Sequence, residues 1–209
     1  MALRSPRLLF LLALCGLLVY GTIKAGALPP GAARPTYTKG GELQVPAGYR
    51  TWVFVGADLS PEYKTEQPPS ETPGAAPPAS DKTSTKSNRL HNVYINREAY
   101  DSFIQKGEFP DPTMLVMEVF RAERKDPKGV LKDGLVETER VGLEIAVKDS
   151  HRPGGGVPWA YYTFNIRDNA RPVRPASAHA DQDCYACHLE HASRDNVWVQ
   201  FYPALRDPE

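Results

Sequence analysis

The 209-residue sequence predicts an α+β domain, mainly antiparallel β-sheet with a few short helices and a C-terminal attachment turn. Three observations carry that expectation. Runs rich in β-branched and aromatic residues recur between turn signals: YRTWVFV at 49–55, HNVYI at 91–95, TMLVMEVF at 113–120 and WAYYTF at 159–164. A long alternating stretch, 135–149, places Val141, Leu143, Ile145 and Val147 on one side. One segment, 97–106, instead shows helical spacing, with Tyr100, Phe103 and Ile104 on one face, and no internal repeat is present.

Taken in order, the chain opens with Arg4 and Arg7 ahead of an apolar run at 8–20, followed by the small residues Ala25, Gly26 and Ala27. That pattern predicts a secretory signal peptide over 1–27, since the run is short for a membrane span. The alternative is an uncleaved anchor, because Gly21, Thr22 and Ile23 extend the run. Residues 28–44 are rich in Pro and Gly and read as a flexible lead-in to a domain over 45–209. Within it, 61–88 is dominated by Pro, Ser, Thr, Ala and Glu. It holds too little apolar surface to order itself, so it reads as a disordered insertion between two strands. Asn96 is placed to cap the helix at 97–106 and Gly107 to stop it. Phe109-Pro110-Asp111-Pro112 forces an extended turn, because a residue before Pro avoids the α region. A glycine-rich turn at 153–158 delivers the strand at 159–164, and 168–180 reads as a loop. The last ordered piece, 196–205, carries Val197, Val199 and Phe201 on one face.

A formal net charge of zero gives no electrostatic reason to expect nucleic acid, and 41% hydrophobic residues suit one sizeable core. The chemistry-bearing stretch is Cys184-Tyr185-Ala186-Cys187-His188, a C-x-x-C-H element of the kind that attaches c-type haem. On one helical turn its thiols and imidazole, at i, i+3 and i+4, project from one face. Cys184 and Cys187 can then form thioethers to the ring while His188 reaches the iron as proximal ligand. Asp181 and Asp183 are placed as N-caps of that turn. The competing reading is zinc bound with the help of His191, but structural zinc wants four tetrahedral ligands, usually from two separated loops. Of three cysteines, Cys15 leaves with the signal, and Leu14 before it argues against lipidation. One covalent haem c on an exported chain points to the periplasm.

Several segments together resemble the cytochrome P-460 family, which includes the cytochrome c′-beta proteins. They are Tyr49-Arg50-x-Trp52 with Val55-Gly56, His91-Asn92-Val93-Tyr94-Ile95 and Phe109-Pro110-Asp111. Gly142-Leu143-Glu144, Val147-Lys148-Asp149 and Trp159-Ala160 follow. The strongest is the C-x-x-C-H run continuing to Asp195-Asn196 and Gln200-Phe201-Tyr202-Pro203. The resemblance implies a mostly antiparallel β fold, often a homodimer, with one c-type haem on His188 and the opposite face of the iron open. It also implies work on small nitrogen species, by oxidising hydroxylamine or binding nitric oxide. One departure matters: the oxidising members carry a haem-linked lysine in a Val-Lys-Glu strand, whereas Val116-Met117-Glu118 stands here. A thioether offers no amine, so the cross-link is not expected. The family's distal carboxylate has no motif by which to place it.

Met117 reads either as a pocket wall beside Leu115, with Phe201 a further wall residue, or as a sixth iron ligand. His91 reads either as a distal hydrogen-bond donor or as an edge residue. His191, one turn past His188, points to solvent or a propionate, and His151 and His179 carry no signal. Arg50, Lys148 and Arg152 are candidate propionate partners, and Tyr202, Trp159 and Tyr162 join Phe201 as aromatics near the ring. The leading expectation is a cytochrome binding nitric oxide or another small nitrogen-oxide ligand at an open distal site, with redox activity on hydroxylamine as its enzymatic extension. The alternative is a six-coordinate electron-transfer cytochrome with a redox-partner protein. Membrane association is expected only if the signal stays uncleaved.

Overall fold

Five strands lie side by side in sequence order, each antiparallel to the next: β1 (Val53–Leu59), β2 (Arg89–Ile95), β3 (Thr113–Glu123), β4 (Val136–Lys148) and β5 (Trp159–Phe164). The computed structural model describes residues 32–59, 88–124, 129–130, 133–167, 171–172 and 174–206. The expected signal segment 1–27 and, but for residue 88, the expected insertion 61–88 lie outside the described residues; β1 and β2 flank the latter. Among the described residues no helix is long and apolar enough to cross a membrane.

The antiparallel sheet with few helices is the α+β architecture expected. Both of its faces are buried, and this explains why apolar residues fall on both sides of the strand along 113–120, with Glu118 the exception. On one face Val93, Ile95, Leu115, Trp159 and Tyr161 pack against helix α1 (Arg97–Lys106) and the C-terminal residues Val197 to Leu205. On the other, Met114, Val116, Leu143, Ile145, Val147 and Phe164 pack against Leu43, Tyr49 and Ala176.

That second layer corrects the lead-in. Residues 36–44 form a tight turn, with Thr38 N–H donating to Glu42 O and Gln44 N–H to Thr36 O. Leu43 is fully buried and exchanges both backbone hydrogen bonds with Ala176, at 2.8 and 3.0 Å. A Pro/Gly-rich composition loosened the expectation, but one leucine with a core to enter fixes the segment.

Two further corrections are local. The first strand starts at Val53, because Tyr49–Thr51 is a 3-10 turn entered through Gly48 at φ 70°. Asn96 does not cap α1 with its side chain: its Oδ1 accepts from Met114 N–H at 2.8 Å, tying the helix start to β3. Gly107 ends the helix as expected, left-handed at φ 71°, its N–H on Phe103 O at 2.7 Å. Near the C-terminus a short helix α2 (Tyr185–His191), a 3-10 turn (Val199–Phe201) and α3 (Pro203–Arg206) close the first face. They come close over Gly56, where an added Cβ would stand 3.0 Å from Pro203 Cδ.

Candidate functional site

Cys184 sits at the N-cap of α2, and the helix carries Cys187 and His188 on its next turn. The cap is backbone, not the expected Asp181 or Asp183 side chain: Ala186 N–H donates to Asp181 O at 2.9 Å. Both thiols are free, partly buried and packed against the first-face core.

The imidazole of His188 is held from three sides. Its Nδ1 lies 2.8 Å from the backbone oxygen of Asn196, so the proton belongs on Nδ1 and the Nε2 lone pair is left to bind. In the structure that lone pair accepts from Trp198 Nε1–H at 3.1 Å, a contact that any ion bound at Nε2 would have to displace, and the Tyr161 ring lies 4.3 Å away, centroid to centroid. Burial lowers the His188 pKa from its ordinary value, with the Asn196 contact opposing, so the ring is neutral near pH 7.

The Asn196 carbonyl faces the ring because Asp195 and Asn196 both take positive φ, 42° and 61°, closing a turn between Arg194 and Val197. Asp and Asn tolerate that conformation better than other non-glycine residues. Asp195 is then clamped: Lys148 Nζ donates to Oδ2 at 2.7 Å and Trp159 Nε1 to Oδ1 at 3.0 Å. The sheet thus orients the His188 ring through a chain of four residues.

His188 and Cys184 line an open cleft of about 130 Å³. The facing sheet contributes Val93, Leu115, Met117 and Ala146, so the two expected wall residues on β3 line the same cleft as His188. Phe201 does not: it is 52% exposed and stacks outside Trp198, which supplies the wall instead. His91 points to the sheet face of Val93 but lies one rung out, opposite Asp58 and Val119, and does not line the cleft. Burial lowers its pKa.

The candidate propionate partners are engaged elsewhere. Arg50 pairs with Glu118, Lys148 with Asp195, and Arg152 donates to Val157 O. Tyr202 lines the cleft and Trp159 is buried in the core beneath it. His151 and His191 lie on exposed surface, whereas His179 stands at the cleft mouth.

Glu144 was invisible as a site residue. It lines the cleft as the cross-strand neighbour of Met117 on one side and Thr163 on the other. Its side chain is exposed in the open cleft, yet the protein around it desolvates it enough to push its carboxyl above the ordinary value, with His179 opposing. Its signal was positional, the polar side of an alternating strand, and only the register brings it opposite Met117.

Two thiols one turn apart, a neutral imidazole with its lone pair in an apolar cleft and one lone carboxylate form a donor set that fits a haem. No curated protein matches the chain. The sequence profile described as Cytochrome P460 matches residues 46–199, which include the C-x-x-C-H turn, the Met117–Glu144 pair and the Asp195–Asn196 turn, and the chain belongs to that haem-binding cytochrome family.

Proposed function

We propose that the chain is an exported, periplasmic cytochrome carrying one covalent haem c that binds small ligands such as nitric oxide on the open face of the iron. The observation that supports this most is the cleft: His188 lines it from α2, while the facing sheet offers a mostly apolar wall broken by Glu144 and Thr163. The haem, when bound, supplies an iron able to hold a diatomic ligand and to change oxidation state.

The chain's residues do the rest. Cys184 and Cys187 tether the ring, and His188 Nε2 ligates while Asn196 O keeps the proton at Nδ1. Val93, Leu115 and Ala146 keep water sparse, and Glu144 can hold a proton beside the guest. Hydroxylamine turnover should stay at the background of haem alone, because Met117 offers no amine for a cross-link. A homodimer and a protein redox partner follow from the family reading.

Met117 also lines the cleft, and its sulfur keeps the six-coordinate electron carrier as second reading. Titrating the ferrous protein with nitric oxide separates the two. The proposal expects a high-spin, five-coordinate absorption spectrum that shifts on ligand addition. A low-spin spectrum indifferent to nitric oxide, and changed by Met117→Leu, would establish the carrier.

A further inference from the structure

We infer that Tyr161 and Asp195 tune the electron-donating strength of His188 in opposite senses. Asp195 fixes the carbonyl that receives the Nδ1 proton, and Tyr161 draws on that same carbonyl. Both are positioning residues, acting on the iron through His188 alone. The inference rests on the reading of His188 as the iron ligand.

The Asn196 carbonyl oxygen faces two donors. His188 Nδ1 lies 2.8 Å from it, and the Tyr161 hydroxyl donates to it at 3.3 Å. A carbonyl oxygen has a lone pair for each, but electron density drawn by one donor is withheld from the other. The shorter contact, to His188, dominates. A histidine whose Nδ1–H meets a good acceptor is the more basic ligand at Nε2, and a more basic ligand favours ferric over ferrous iron.

Neither contact is loose. Tyr161 is 8% exposed on β5, its ring against the imidazole at 41° between planes. Its backbone is held on both edges, by Ala146 of β4 and by His179 N–H, which donates to Tyr161 O at 2.9 Å. A buried tyrosine hydroxyl needs a partner, and here it takes the oxygen that already holds the His188 contact. On the other side, the Lys148 ammonium that grips Asp195 also donates to Phe109 O at 2.8 Å, so the clamp is tied to the core. Asn196 Nδ2 reaches back to Tyr185 O at 3.4 Å, joining the turn to α2.

The holo-protein and three variants test this. Tyr161→Phe removes only the hydroxyl. Asp195→Asn keeps an acceptor for Trp159 and a residue that tolerates positive φ, but loses the charge that holds Lys148. Lys148→Met loosens the same carboxylate from the other side. The readouts are the reduction potential and the proton NMR shift of His188 Nδ1–H in the diamagnetic ferrous protein, under carbon monoxide where the iron is otherwise high-spin.

Tyr161→Phe should move the Nδ1 proton downfield and shift the ferric–ferrous equilibrium about threefold towards ferric, or about 30 mV for one electron. Asp195→Asn and Lys148→Met should both move that proton upfield. They remove charges of opposite sign, so a plain charge effect would separate them where loosening does not. An unmoved Nδ1 proton in Tyr161→Phe, or the same direction of movement in all three variants, would overturn the tuning and leave His188 as ligand. A wild-type His188 Nδ1 proton without the ring-current shift of a porphyrin would overturn the ligation reading and the tuning with it.

Discussion

Glu118 is 2% exposed and carries a charge, on the sheet face turned away from the cleft. Tyr49 OH donates to its Oε1 at 2.6 Å, Arg50 Nη2 at 2.6 Å and Arg140 Nη1 at 2.6 Å. Burial alone would raise its pKa, but the three donors outweigh it and hold the carboxyl below its ordinary value. A group depressed in the folded state stabilises fully above its unfolded pKa, near 4.5, and that stability is lost as the pH falls through the folded value. Urea unfolding at pH 7 should find Glu118→Gln destabilised by about 1–3 kcal/mol, because Tyr49, Arg50 and Arg140 lose the charged acceptor they share. Between pH 5 and about 3 the wild type should lose stability more steeply than the variant. Equal slopes would place the acid sensitivity elsewhere. Cys184, Cys187 and His188 were legible at this scale because their chemistry is local in sequence. Glu118 and Glu144 were not, because each gets its partner from strands that the sequence does not align.

Among elements, the strands at 113–120 and 135–149 could be read from pattern, since buried alternation and turn residues are written along the chain. What could not be read is contact between distant pieces. The aromatic run at 49–55 is half turn and half strand, because Tyr49 leaves the sheet line to reach Glu118. The 28–44 segment hid Leu43, whose value lies in a cavity built by Met114, Val116, Leu143 and Ala176. Leu43→Ala should cost about 2–5 kcal/mol by chemical denaturation, the range for a fully buried leucine in a rigid site. It should also free Ala176 and raise amide exchange through the segment that ends at His179. A loss below about 1 kcal/mol would mean the N-terminal segment only rests on the core.

For the whole molecule, the order of layers determines where chemistry can happen. The sheet spends one face on an N-terminal cover and the other on α1 and the C-terminal residues, and the cleft opens where α2 faces β5 and the strands beside it. Lys148 and Trp159 on the sheet hold Asp195, and through it the Asn196 carbonyl that sets His188. The central claim is that a haem is covalently tethered over that sheet face. The most direct measurement is extraction of the purified holo-protein, made in a host that assembles c-type cytochromes, with acidified acetone. The account predicts that the colour stays with the precipitated polypeptide, and that Cys184→Ala, Cys187→Ala together release it into the solvent. Pigment that leaves the wild-type chain under the same treatment would contradict it.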